Sequence, residues 1–226
     1  MKKKMFIICS IFALIISCKN DAISKDLETS VQDLESAKQV EQEIKEEFNG
    51  LLNILETKDV SKLDTSEIEK TIKDLKDQIE KTDAKKTSLL TYSEFEKTLK
   101  EIREKLKDKL QNKQELEKEL KELEDSLKKK KDDRKKALEE AKKEFEKLKG
   151  EVNSVTGVTD GHQSQNQGKV GQQAWQKAKE FGLSVNSSGG ADTSGMSNEI
   201  ITNALKQIEE ELKNFGEESK SLEEKK

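Results

Sequence analysis

The amino-acid sequence predicts an all-α protein: an elongated helical bundle or coiled coil built on one long heptad helix, with a small C-terminal helical hairpin. Three observations lead there. The 226 residues contain no proline, the strongest breaker of long helices. Charged residues make up 40% and hydrophobic residues 31%, so apolar side chains fill narrow stripes rather than a thick core. Apolar residues also hold seven of the nine positions reached by steps of seven from Tyr92 to Leu148.

The chain opens with Lys2, Lys3 and Lys4 followed by an apolar run from Met5 to Ile16, the pattern of a secretory signal over residues 1–17. Ile15-Ile16-Ser17-Cys18 then reads as a bacterial lipobox, in which the Cys18 thiol receives the lipid. Processing there removes three lysines and Cys9, making the net charge of −4 more negative and leaving no second cysteine for a disulfide. Several acyl chains hold a protein at a membrane far more firmly than one. Lys19, rather than an aspartate, follows the cysteine and favours the outer membrane over the inner. Residues 18–24 form the lipidated tether, and no cofactor is expected beyond that covalent lipid.

Residues 25–149 read as the elongated helical region. Leu27, Val31, Leu34, Ile44, Phe48, Leu51, Leu52 and Leu55 make a stripe for a helix over about 25–57, with 59–64 as connector. Ser66 and Glu69 form a capping box before Ile68, Ile72, Leu75 and Ile79, and residues 83–90 break that stripe. Thr91 and Glu94 form another box, where the heptad pattern begins. One row is Tyr92, Leu99, Leu106, Lys113, Leu120, Leu127, Arg134, Ala141 and Leu148. Its companion is Phe95, Ile102, Lys109, Leu116, Leu123, Lys130, Ala137 and Glu144. A continuous helix would be about 85 Å long. The charged seam positions weaken a long dimer and favour packing within the chain, with breaks open at Gln111–Asn112 or Lys131–Asp132.

Residues 150–168 read as a Gly/Gln-rich linker and 169–216 as the hairpin. Its first helix carries Val170, Ala174, Trp175, Ala178 and Phe181, with Gly182 and Leu183 closing it in a left-handed cap. Residues 184–195 read as a Gly/Ser-rich loop. Ser197 caps the second helix, whose inward face holds Ile201, Ala204, Leu205, Ile208, Leu212 and Phe215. The charged tail 217–226 reads as disordered.

Catalysis finds nothing to attach to. His162 is the only histidine, it has no neighbouring ligands for a metal, and the glycines lack the strand–helix setting of a phosphate loop. The near balance of charge argues against a nucleic-acid binder. One local exception is Lys128, Lys129, Lys130, Lys131, Arg134, Lys135 and Lys136, seven cations against Asp132 and Asp133. Three basic residues, two spacers and another basic residue match a spacing common in glycosaminoglycan sites, where closely set cations meet dense sulfates and release counterions. On a helix these residues would form a collar. The alternative is a solvated helix surface or helix end. A terminal Lys226 offers a carboxylate and an ammonium together, the chemistry that a lysine-binding kringle such as those of plasminogen accepts.

The signal from Met5 through Asn20, the run Leu127–Lys131 with Arg134–Glu139, and the stretches Val170–Trp175 and Ala191–Ser194 resemble the Erp surface lipoproteins of Borrelia, in the outer surface protein F branch. The resemblance covers the signal and roughly residues 66–215. It implies a lipid-anchored outer-membrane protein, exposed on the cell surface, that meets vertebrate host molecules, with heparan sulfate as the ligand in this branch. Host complement proteins or plasminogen are the second class of partner to be weighed, and a ligand-free structural spacer the third reading.

Overall fold

The chain is all-helical. A computed structural model describes residues 24–58, 65–110, 114–154, 161–186 and 193–223, which form α1 (Ser24–Thr57), α2 (Thr65–Lys81), α3 (Leu89–Leu110), α4 (Gln114–Ser154), α5 (Gly161–Glu180) and α6 (Thr193–Glu223). The proposed signal, Cys18, residues 19–23 and Lys226 lie outside the described residues.

The first four helices form an up-down-up-down bundle in which α1 and α4 each pack against both α2 and α3. Cross-helix ion pairs show the directions. Lys45 meets Glu94 at 2.7 Å and Lys105 meets Glu56 at 3.3 Å, so α1 and α3 are parallel. Lys131 meets Glu96 at 2.8 Å and Arg103 meets Glu124 at 2.7 Å, so α3 and α4 are antiparallel. The stripes read from the sequence fill the core, with Phe48 stacked on Phe95 and with Ile72, Leu99, Ile102 and Leu120 buried around them.

The single long helix over 92–149 does not form. α3 ends at Leu110 and α4 starts at Gln114, and Arg103 of α3 reaches both Glu117 and Glu124 of α4. The chain therefore folds back across the first of the two candidate breaks and runs on through Lys131–Asp132. The two seam positions flanking the break are Lys109 and Lys113, so no apolar seam residue lies between Leu106 and Leu116. Folding back buries the seam of α3 and of the first half of α4 against each other and against α1 and α2, in one molecule.

Helix α4 continues beyond this bundle and packs its second half against α5 and α6 around Leu138, Ala141, Phe145, Phe181, Ile201 and Ile208. The expected hairpin is corrected here: α5 and α6 are parallel. Gly168 lies beside Thr193 and Gly171 beside Ser197, so both helices advance together. The segment after α5 runs back along α6. Ser184 N–H donates to Gln207 at 3.0 Å, and Asn203 donates to the Asn186 carbonyl at 3.1 Å. Leu183 and Val185 are buried while Ser184 and Asn186 are exposed, the alternation of an extended strap with one apolar side.

Several boundaries shift for local reasons. Helix occupies residues 150–154 and 161–168 of the expected linker, placing His162 in the first turn of α5. The expected disordered tail is helical through Glu223. Ser88, not Thr91, caps α3, its hydroxyl accepting the Thr91 N–H at 3.1 Å. Ser197 does not cap α6, which begins at Thr193; its hydroxyl instead donates to the Gln167 carbonyl of α5 at 2.8 Å.

The left-handed cap of α5 forms as expected. Gly182 has φ 66°, Leu183 N–H donates to the Ala178 carbonyl at 2.7 Å, and Gly182 N–H to that of Lys179 at 3.1 Å. A Cβ at Gly182 would stand 2.6 Å from the Lys86 carbonyl oxygen, a backbone atom with little freedom to retreat. Gly182→Ala is expected to cost roughly 2 kcal/mol, from the left-handed backbone and the close contact together. Urea denaturation checks it, and a loss below about 0.5 kcal/mol would contradict this account.

Candidate functional site

Seven cations in nine residues of α4 were expected to ring the helix. The heptad row passes through Arg134 and its companion row through Lys130, and the fold treats both positions as interior or nearly so. Arg134 is 1% exposed. Its Nε and Nη2 each donate to a Glu211 carboxylate oxygen at 2.9 Å, and its Nη1 donates to the Phe181 carbonyl at 2.9 Å and also to the Lys85 carbonyl. Glu211 accepts the Leu89 N–H at 2.7 Å as well. One guanidinium thus joins α4, α6, the end of α5 and the α2–α3 connector.

Lys131 is 8% exposed, pairs with Glu96 and places its Nζ 5.3 Å from the Phe215 ring centroid. Lys130 donates to the carbonyls of Glu80 at 2.8 Å and Thr82 at 2.5 Å, occupying acceptors that the end of α2 leaves open. Burial holds its ammonium below the usual lysine range, with nearby Asp133 and Asp83 opposing that shift. Beside the Arg134 junction, burial raises the Glu41 carboxyl above its ordinary range, against hydrogen bonds from Thr87 and Thr91 and the charge of Arg134.

The collar is therefore corrected to a face. Lys128, Lys129, Lys135 and Lys136 remain exposed, and Asp132 is exposed among them. Lys135 lies 5.5 Å from the Phe215 ring centroid, and Lys136 is 3.9 Å from Asp133. Such exposed contacts constrain lysines weakly and leave their ammonium groups available to a ligand. The sequence carries part of this division, because Lys130 and Arg134 fall on the seven-residue rows; Lys131 lies on neither row, and its burial comes from Glu96 and Phe215 packed beside it.

Elsewhere, an open groove of about 540 Å³ between α4 and α5 is lined by Glu144, Glu151, Lys147, Lys177 and Glu180. Lys177 sits 3.1 Å from both Glu144 and Glu180, and Lys147 is 3.8 Å from Glu151, so its charges largely compensate one another. Among the described residues no group of three metal-ligating side chains converges, and no helix is long and apolar enough to cross a membrane. Comparison with protein-family models, curated proteins and solved structures finds no match for this chain.

Proposed function

We propose that this chain is a lipid-anchored lipoprotein of a bacterial outer membrane, held through Cys18, whose helical body binds host heparan sulfate through the lysine face of α4. The observation that carries the ligand class is the exposure of Lys128, Lys129, Lys135 and Lys136 together on one side of one helix. Four ammonium groups on a rigid rod meet a sulfated chain without folding cost to the protein, and each contact releases counterions. The membrane anchor rests on the lipobox and the signal before it. The protein is read as a binder, with no enzymatic step assigned to it.

The test is retention of the unlipidated chain 19–226 on immobilised heparin across a salt series. Affinity is expected to fall with a log–log slope of up to about four, one per lysine. Changing the four exposed lysines to Gln should abolish retention at physiological salt and leave helix content intact, since none of them fills the core. Unchanged retention in that variant overturns the reading. Serum-protein binding that persists at moderate salt and in the same variant would point instead to complement proteins or plasminogen, with Lys226 a contact to remove next.

A further inference from the structure

The lysine face has an internal order that the run of cations in the sequence conceals. At 3.6 residues per turn and 1.5 Å per residue, Lys128 and Lys135 lie nearly in line along α4, about 10 Å apart. Lys129 and Lys136 make a second line about 100° round the helix. Asp132 is three or four residues from every one of the four, so it falls at the centre of the rectangle they mark. All five positions are exposed. The neighbouring Asp133 is only half-buried and lies 3.9 Å from Lys136, outside that centre.

A carboxylate at the centre of four ammonium groups acts on different polyanions with opposite signs. Toward a polyphosphate, which is anionic at every unit and offers no hydrogen-bond donor between charges, it can only repel. A sulfated sugar chain separates its anionic groups with ring hydroxyls and N–H groups. Lysines at the corners can meet the sulfates while the central carboxylate accepts a charge-assisted hydrogen bond from one of those donors. We infer that Asp132 is a specificity-determining residue of the lysine face, favouring sulfated sugars over polyphosphate. This rests on the polyanion reading above and adds to it the group that discriminates.

The experiment measures dissociation constants for a heparin-derived oligosaccharide and for inorganic polyphosphate, with the native chain, Asp132→Asn and Asp132→Ala. In Asp132→Ala the preference for the sugar should fall by about tenfold, polyphosphate tightening as the negative charge goes and heparin losing its acceptor. Asp132→Asn keeps an acceptor and loses the charge, so it should tighten polyphosphate while holding most of the heparin affinity. Equal tightening of both ligands in Asp132→Ala would overturn the inference and leave the carboxylate as a general repulsive or helix-pairing group. Should the native chain bind neither ligand better than the four-lysine Gln variant, the polyanion reading itself fails. The native chain against the four-lysine variant tests the polyanion reading, and the native chain against Asp132→Ala tests the inference, so the two failures are distinct.

Discussion

Arg134→Met is expected to destabilise the protein by about 3–5 kcal/mol, a large share of the stability of an ordinary domain. The loss has little to do with attraction between opposite charges. Removing the guanidinium leaves the Glu211 carboxylate, 17% exposed, without its bidentate partner, and deprives the Lys85 and Phe181 carbonyls of their shared donor. A double variant, Arg134→Met with Glu211→Leu, should recover much of the loss, because two apolar side chains of similar size remove both desolvation costs together. The two packed halves of the molecule supply a second readout. Trp175 is the only tryptophan and packs against the α4–α5–α6 cluster, so its fluorescence follows that half, while far-UV circular dichroism follows all helices. In the native chain the two signals should change together under urea; in Arg134→Met they should separate. Coincident curves and a change under about 1 kcal/mol would show that Arg134 does not couple the halves.

Phe95→Ala should cost about 3–5 kcal/mol by a different route, the loss of a large buried side chain and the cavity left behind. Phe95 is 2% exposed and its ring lies 5.5 Å from that of Phe48, nearly parallel at 23°. The site joins α1 to α3 inside the core of the first four helices, where surrounding leucines and isoleucines have little room to collapse inward. Because α4 is continuous and Arg134 still clamps the two halves, urea curves from circular dichroism and Trp175 fluorescence should both shift and remain coincident. A small loss, or a shift in circular dichroism without one in fluorescence, would contradict that coupling.

The helical class and most core positions were legible in the sequence because helix periodicity is a local property. Ile72, Leu75 and Ile79, and then Tyr92, Leu99 and Leu106, are buried where their three-, four- and seven-residue spacing puts them. The Gly182–Leu183 cap was equally local and equally legible. The strap was harder. Leu183-Ser184-Val185-Asn186 alternates over only four residues beside glycines and serines, too short a signal to stand against the expectation of a loop and hairpin. Nor did the sequence distinguish one long seam from two halves of it, since both bury the same residues.

The candidate site divided along the same line. That α4 would carry a dense set of cations, and that Arg134 and Lys130 occupied seam rows, could be read from spacing alone. Which cations face water depended on what packs beside them. Glu211 lies 77 residues from Arg134, and the Lys85 and Phe181 carbonyls reach that guanidinium because the α2–α3 connector crosses the end of α5 beside Glu211 of α6. The sequence by itself determined the helices, their apolar faces and the charge each would carry, because those follow from neighbours within two turns. Tertiary structure alone decided the fold-back of the seam, the direction of α6 and the division of seven cations into a buried clamp and an exposed face. Those outcomes depend on burial between segments distant in the chain, and burial decides whether a charge meets a fixed partner or water.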